Sequence, residues 1–151
     1  MNADRVDAFL ENHRSVGLDT CVFIYAVESH PKYLASVKQV LRWTRGPNGH
    51  AITSTITMTE ALVRPYRLTD LVLVQEFHAL LATYPHLDWI PPTLQIADRA
   101  AQIRADYNLR TPDAIQAATA LAAGVTGFVT NDRIFRRIPS LEVLVLDELL
   151  S

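Results

Sequence analysis

The chain has 151 residues, 49% of them hydrophobic and 20% charged, with a formal net charge of −2. That mixture fits one globular domain able to bury its own core, and it excludes a global electrostatic pull toward nucleic acid or anionic lipid, so any such site must be a local patch. A lone cysteine, Cys21, excludes an intrachain disulfide, no apolar run approaches the ~20 residues that span a bilayer, and the acidic start (Asp4, Asp7, Glu11) lacks a signal-peptide pattern, so a reducing cytoplasm is the expected setting.

Residues 3–14 read as a helix with Val6, Phe9 and Leu10 on one apolar stripe. Val16 to Asp19 is a short strand. The run from Cys21 to Val27 stays ambiguous, because its β-branched content argues strand while the distance to the next strand argues helix. Tyr33 to Arg45 is an amphipathic helix stopped by Gly46-Pro47-Asn48-Gly49. Ala51 to Thr53 is a strand, and Thr55 to Arg64 a helix expected to end before Pro65. Leu68 to Tyr84 is a further helix with Thr69 as its cap, Leu87 to Ile90 a strand, and Thr93 to Tyr107 a helix.

Thr111-Pro112-Asp113 opens an alanine-rich helix through Ala123, with threonine as cap, proline in the first turn and Gly124 as the stop. Thr126 to Thr130 is a strand, Asn131 to Arg137 a short helix, and Val143 to Leu146 a last strand. Strands alternating with helices predict a parallel sheet covered on both faces.

Four acidic residues stand at or beside strand ends and helix starts: Asp19, Glu60, Asp113 and Asp132. In an open parallel sheet the carboxyl ends of the strands share one edge, where ligands bind. Carboxylates gathered there repel one another unless a cation offsets them, and oxygen ligands suit Mg²⁺ or Mn²⁺. Such a centre activates water for attack on a phosphodiester without a covalent nucleophile. Thr20, Thr130 and Asn131 are placed to orient water or a carboxylate. Taken singly, each acid also has an ordinary reading as a cap, a turn residue or a solvent-facing helix residue. Twelve of the fourteen cations are arginine, the residue suited to bidentate phosphate contact. Arg64, Arg67, Arg110 and Arg133, with Arg136 and Arg137 behind them, form the candidate patch.

Gly17-Leu18-Asp19-Thr20, Thr59-Glu60-Ala61, the stretch from Thr111 to Ala120, and Phe128 to Phe135 together resemble the PIN domain, and within it the VapC-type ribonuclease toxins of toxin–antitoxin pairs. The resemblance runs from about residue 15 to the C-terminus. It implies a single three-layer α/β/α domain over residues 1–151, with a central parallel sheet. It implies endoribonuclease activity, with Asp19, Glu60, Asp113 and Asp132 holding Mg²⁺ or Mn²⁺ directly or through water, an RNA substrate, a cognate antitoxin and a homodimer. Residues 1–14, a helical extension ahead of the first strand, depart from the family's usual start.

Other chemistries lack their residues. A dehalogenase-type phosphatase needs an aspartate at position 21, which is cysteine, and a receiver domain needs a lysine beyond Lys38. There is no nucleophile elbow, P-loop or dinucleotide glycine motif. His13, His30, His50, His78 and His86 show no zinc-ligand spacing, which favours solvent-facing polar roles. The rival of a different class is a non-catalytic PIN-like module that binds RNA or protein.

Overall fold

The computed structural model describes residues 2–150. Among them run α1 (Asn2–Glu11), β1 (Val16–Leu18), α2 (Thr20–Val27), α3 (Leu34–Arg45), β2 (Ala51–Ser54), α4 (Ile56–Arg67), α5 (Leu71–Thr83), β3 (Leu87–Ile90), α6 (Leu94–Tyr107), α7 (Thr111–Ala122), β4 (Gly127–Thr130) and β5 (Glu142–Val145). Two single-turn 3₁₀ segments, Arg133–Arg137 and Leu146–Leu150, follow β4 and β5.

All pairings are parallel and the strand order is β3-β2-β1-β4-β5. From β1 the chain steps outward through β2 and β3, then returns to the other side for β4 and β5. The switch point therefore lies between β1 and β4, where Leu18 registers with Val129. Strand alternation divides the core. Val16, Leu18, Ala51 and Val129 face a cluster built with α1, α2, α3 and α5. Ile52 and Phe128 face the other cluster, built with α6 and α7. Together they make the three layers expected from the alternation of elements.

Gly17 lets α7 lie close to the sheet: a Cβ there would stand 2.7 Å from the Phe128 ring and 3.2 Å from the Ala120 Cβ. The N-terminal helix is part of the packing, since its stripe of Val6, Phe9 and Leu10 is buried in the first cluster. It lies on α3, and Arg5 Nη1 donates to the Glu148 carbonyl at 2.9 Å.

The structure departs from sequence expectation at several boundaries. The ambiguous run after Asp19 is helical. Asp19 accepts from the Thr20 N–H and caps it, and burial on most sides outweighs the low helix propensity of Val22 and Ile24. Pro65 does not end α4. It sits in the last turn, where the missing N–H removes one bond, and the helix runs on to Arg67. The next cap is Asp70, accepting from the Leu73 N–H at 3.1 Å; Thr69 instead takes φ 51° in the turn between the helices. In α7 the cap position is Arg110, without a side-chain cap bond, and Thr111 opens the helix ahead of Pro112.

Candidate active site at the carboxyl edge of the sheet

Asp19 follows β1 at the switch point. Its Oδ1 accepts from the Thr20 N–H at 2.9 Å and its Oδ2 from the Thr130 hydroxyl at 2.7 Å. The Asp19 N–H donates to the Val129 carbonyl at 3.0 Å, locking the aspartate to the end of β4. Burial pushes the Asp19 carboxyl up to about 6; the two hydrogen bonds oppose this, and the charges of Asp113 and Glu60 add to it.

Glu60 reaches the site from the second turn of α4, where Thr20 Oγ1 donates to Glu60 Oε1 at 2.9 Å. Asp113 lies in the first turn of α7 and is 9% exposed. Burial raises its carboxyl above the ordinary range, with Arg110 opposing and Asp132 adding to the rise. Arg110 Nε stands 3.5 Å from Asp113 Oδ2, within ion-pair range, yet this buried oxygen receives no hydrogen bond. Asp132 is exposed. It caps the 3₁₀ turn after β4 by accepting from the Ile134 N–H at 3.0 Å, and its own N–H donates to Thr130 Oγ1 at 3.1 Å.

The four carboxylates are thus linked electrostatically: Asp19 feels Asp113 and Glu60, and Asp113 feels Asp132. Thr20 donates to Glu60 and Thr130 to Asp19. Asn131 bonds neither of these acids. Its amide donates to the Tyr25 hydroxyl at 3.1 Å and its carbonyl accepts from the Asp147 N–H at 2.7 Å.

The donor set is oxygen alone and fits a hard divalent cation, and Asp113 Oδ2 is a buried acceptor that receives no hydrogen bond, with the Arg110 guanidinium 3.5 Å away. Among the described residues no three Asp, Glu, His or Cys side chains converge tightly enough to enclose an ion by themselves. Mg²⁺ is commonly held by one or two carboxylates and several waters, so direct ligation by all four acids is not required for the fit.

Beneath the acids runs a buried polar chain that sequence reasoning missed. Ser54 N–H donates to Gln116 Oε1 at 3.3 Å, and Gln116 Nε2 donates to Thr57 Oγ1 at 2.8 Å. Thr53 Oγ1 donates to the Leu18 carbonyl at 2.9 Å, so in the 2.7 Å Thr53–Thr57 contact Thr57 supplies the proton. The chain ties β1, β2, α4 and α7 together under the acidic edge. Its one sequence signal is Gln116, a polar residue three positions after Asp113 and on the same helix face, amid alanines.

The proposed arginine patch is partly engaged. Arg64 pairs with Glu28 at 2.6 Å, and Arg133 with Glu148 at 2.7 Å. Arg136 bonds the same Glu148 oxygen, and these two arginines hold the Glu148 carboxyl down at about 2. Arg137 donates to the Tyr107 carbonyl. At the amino edge, Ser15, His50 and Asp88 form a clasp across the starts of β1, β2 and β3, with contacts of 2.6 and 2.8 Å, beside a cavity of about 420 Å³. The His13 side chain, 8% exposed, packs over Gly127 and contacts Glu142 at 3.2 Å, so it is not solvent-facing as the sequence suggested.

A model of the PIN domain matches residues 16–141. The chain belongs to the PIN domain family. No curated protein matches it. Solved structures do. A toxin–antitoxin complex from Klebsiella pneumoniae is 25% identical with a TM-score of 0.65, over 86% of this chain and 96% of that one. VapBC2 from Rickettsia felis, bound to a DNA fragment from its promoter, is 20% identical with a TM-score of 0.61, over 87% and 98%. VapC20 of Mycobacterium tuberculosis, a toxin that cleaves the sarcin–ricin loop, is 14% identical with a TM-score of 0.61, over 75% and 86%. At these lower identities the likeness establishes the PIN fold. The matched span leaves out α1, β5 and the C-terminal 3₁₀ segment, and Arg5 joins the first of these to the last through Glu148.

Proposed function

We propose that this PIN domain is a metal-dependent endoribonuclease, the toxin of a toxin–antitoxin pair, working at Asp19, Glu60, Asp113 and Asp132. The observation that carries this reading is the buried Asp113 oxygen without a donor, set among linked carboxylates at the switch point of the sheet. Asp19, Asp113 and Asp132, with Glu60, would hold Mg²⁺ or Mn²⁺ directly or through water. A bound divalent ion supplies charge compensation and a more acidic water.

The chain's own residues prepare the site. Thr130 and the Thr20 N–H fix both oxygens of Asp19, and the Thr20 hydroxyl fixes Glu60, so neither acid has to be ordered during the reaction. Asp113 Oδ2 has no hydrogen-bond donor, and a shift of the exposed Arg110 side chain would free it to accept from a cation's water shell. Among the candidate phosphate contacts, Arg67 makes no ion pair among the described residues and Arg110 is only loosely tied to Asp113. Arg64 and Arg133 would have to leave Glu28 and Glu148 to serve.

The antitoxin and homodimer parts of the reading draw support from the toxin–antitoxin complexes among the similar structures and from an exposed apolar ridge, Val63, Tyr66, Leu68, Leu71 and Val72, at the turn between α4 and α5. The cytoplasmic setting rests on the lone Cys21, and no helix among the described residues is long and apolar enough to cross a membrane. The alternative, a non-catalytic RNA- or protein-binding module, draws support from the spacing of the carboxylates.

Labelled RNA incubated with the purified protein, with Mg²⁺ or with chelator, tests the reading. Cleavage should need the ion and be lost in Asp113→Asn. Tight binding without cleavage would favour the module, and cleavage indifferent to ion and variant would refute the metal centre.

A further inference from the structure

Beside the acidic edge stands a three-ring cluster that the hydrolytic reading does not use. Tyr25 near the end of α2 and Tyr33 before α3 stack with centroids 4.8 Å apart, and His30 stacks on Tyr33 at 4.6 Å and leans on Tyr25 at 4.8 Å. The turn between the helices fixes them. Ser29 takes φ 52°, the His30 N–H donates to the Tyr25 carbonyl at 3.0 Å, and the Lys32 N–H donates to His30 Nδ1 at 3.2 Å. That last bond puts the neutral ring's proton on Nε2, which has no partner among the described residues.

Both tyrosine hydroxyls are anchored to the carboxyl edge: Tyr25 accepts from Asn131, beside Asp132, and Tyr33 donates to Asp147 Oδ1 at 2.7 Å. Tyr33 is buried, whereas Tyr25 and His30 keep part of their surface in solvent and Lys32 is exposed. A rigid group of rings with two partly open members, a free N–H and a flanking lysine matches what unpaired nucleotides are bound by, since every base has a face that stacks.

We propose that Tyr25, His30 and Tyr33 form a subsite that stacks one unpaired base of a strand whose phosphodiester lies at the acidic edge. This rests on the nuclease reading and adds to it the side chains that would hold a base next to the cut. Tyr33 is the floor, Tyr25 and His30 are the contact surface, and the His30 Nε2–H donates to the base edge or its phosphate.

A fluorescein-labelled twelve-nucleotide single-stranded RNA, titrated in chelator so that it is not cut, tests the subsite. His30→Ala and Tyr25→Leu should each weaken binding about tenfold, the effect of losing one base stack. Tyr25→Phe keeps the ring and loses only the bond from Asn131, so it should weaken binding less than Tyr25→Leu. Replacing each nucleotide in turn by an abasic one should reveal one position that weakens wild type and weakens His30→Ala no further. Melting curves separate a misfolded Tyr25→Leu from a stacking loss, and His30, on a surface turn, gives a second variant. If wild type cuts RNA with Mg²⁺ while both variants match it in binding and KM, the subsite is wrong and the nuclease reading stands. If wild type neither binds nor cuts RNA, both fall together.

Discussion

At the scale of the residue, Asp19 carries a measurable consequence of its burial. Its carboxyl sits at about 6 in the folded chain, against 3.8 in the open. Between those values the folded state holds a proton that the unfolded state has released, so stability falls as pH rises from about 4 to about 6 and stays lowered above. A rise from 3.8 to about 6 corresponds to at most about 3 kcal/mol. Freed of divalent ions, Asp19→Asn should therefore melt about 5–10 °C above wild type at pH 7.5, with the gap closing by pH 4. Calorimetry across that range checks it; a variant less stable than wild type at pH 7.5 would mean that the bonds from Thr20 and Thr130 outweigh burial. The residue scale was also the most legible from sequence. An aspartate at a strand end stands at the carboxyl edge of the sheet, and Thr20 follows it directly in the chain. Gln116 and Thr57 were hidden because their bond joins residues 59 apart, on helices whose approach no local pattern encodes. Removing that bond gives a second expectation. Gln116→Leu takes the side-chain acceptor from the Ser54 N–H and one of several bonds from the Thr57 hydroxyl, and should cost about 1–3 kcal/mol, read by urea unfolding.

At the scale of the element, local chemistry decided some boundaries and packing the others. The strand Leu87–Ile90 and the stop at Gly124 follow from turn residues, and both stand as expected. The helix after Asp19 was ambiguous because β-branched residues suit a strand equally, and only burial among α3, α4 and α5 settles it. Pro65 misled because a proline in a last turn breaks nothing beyond its own missing bond. Where α7 crosses the sheet, the fit is set by a missing side chain. Gly17→Val would drive methyls into the Phe128 ring and the Ala120 Cβ, both fully packed. The expected loss is about 1–3 kcal/mol, or roughly 2–10 °C in Tm. Exposed Asp70 is the milder case. Asp70→Ala removes the one side-chain cap of α5 and should cost about 1 kcal/mol, seen as a small drop in the denaturation midpoint at unchanged slope.

At the scale of the whole molecule, alternation announced a parallel sheet but not the order β3-β2-β1-β4-β5, and it is the order that turns scattered acids into neighbours. It sets β1 next to β4, so residues 19 and 130 share a bond across 111 positions. The same assembly leaves an apolar ridge outside: Val63, Tyr66, Leu68, Leu71 and Val72 are 41–66% exposed at one corner. Burial of such a ridge is worth about 25 cal/mol per Å² before the cost of association. The homodimer proposed for this chain has there its largest available store of apolar area. Its weak net charge, −2, sets no long-range barrier between two copies. Wild type should therefore sediment at the mass of two chains at micromolar concentration. Leu68→Glu with Leu71→Glu should bring it to one chain that still unfolds cooperatively, because both side chains are exposed in the isolated fold. A doubly substituted protein that still sediments as two chains would place the dimer contact on another face and leave this ridge for a different partner.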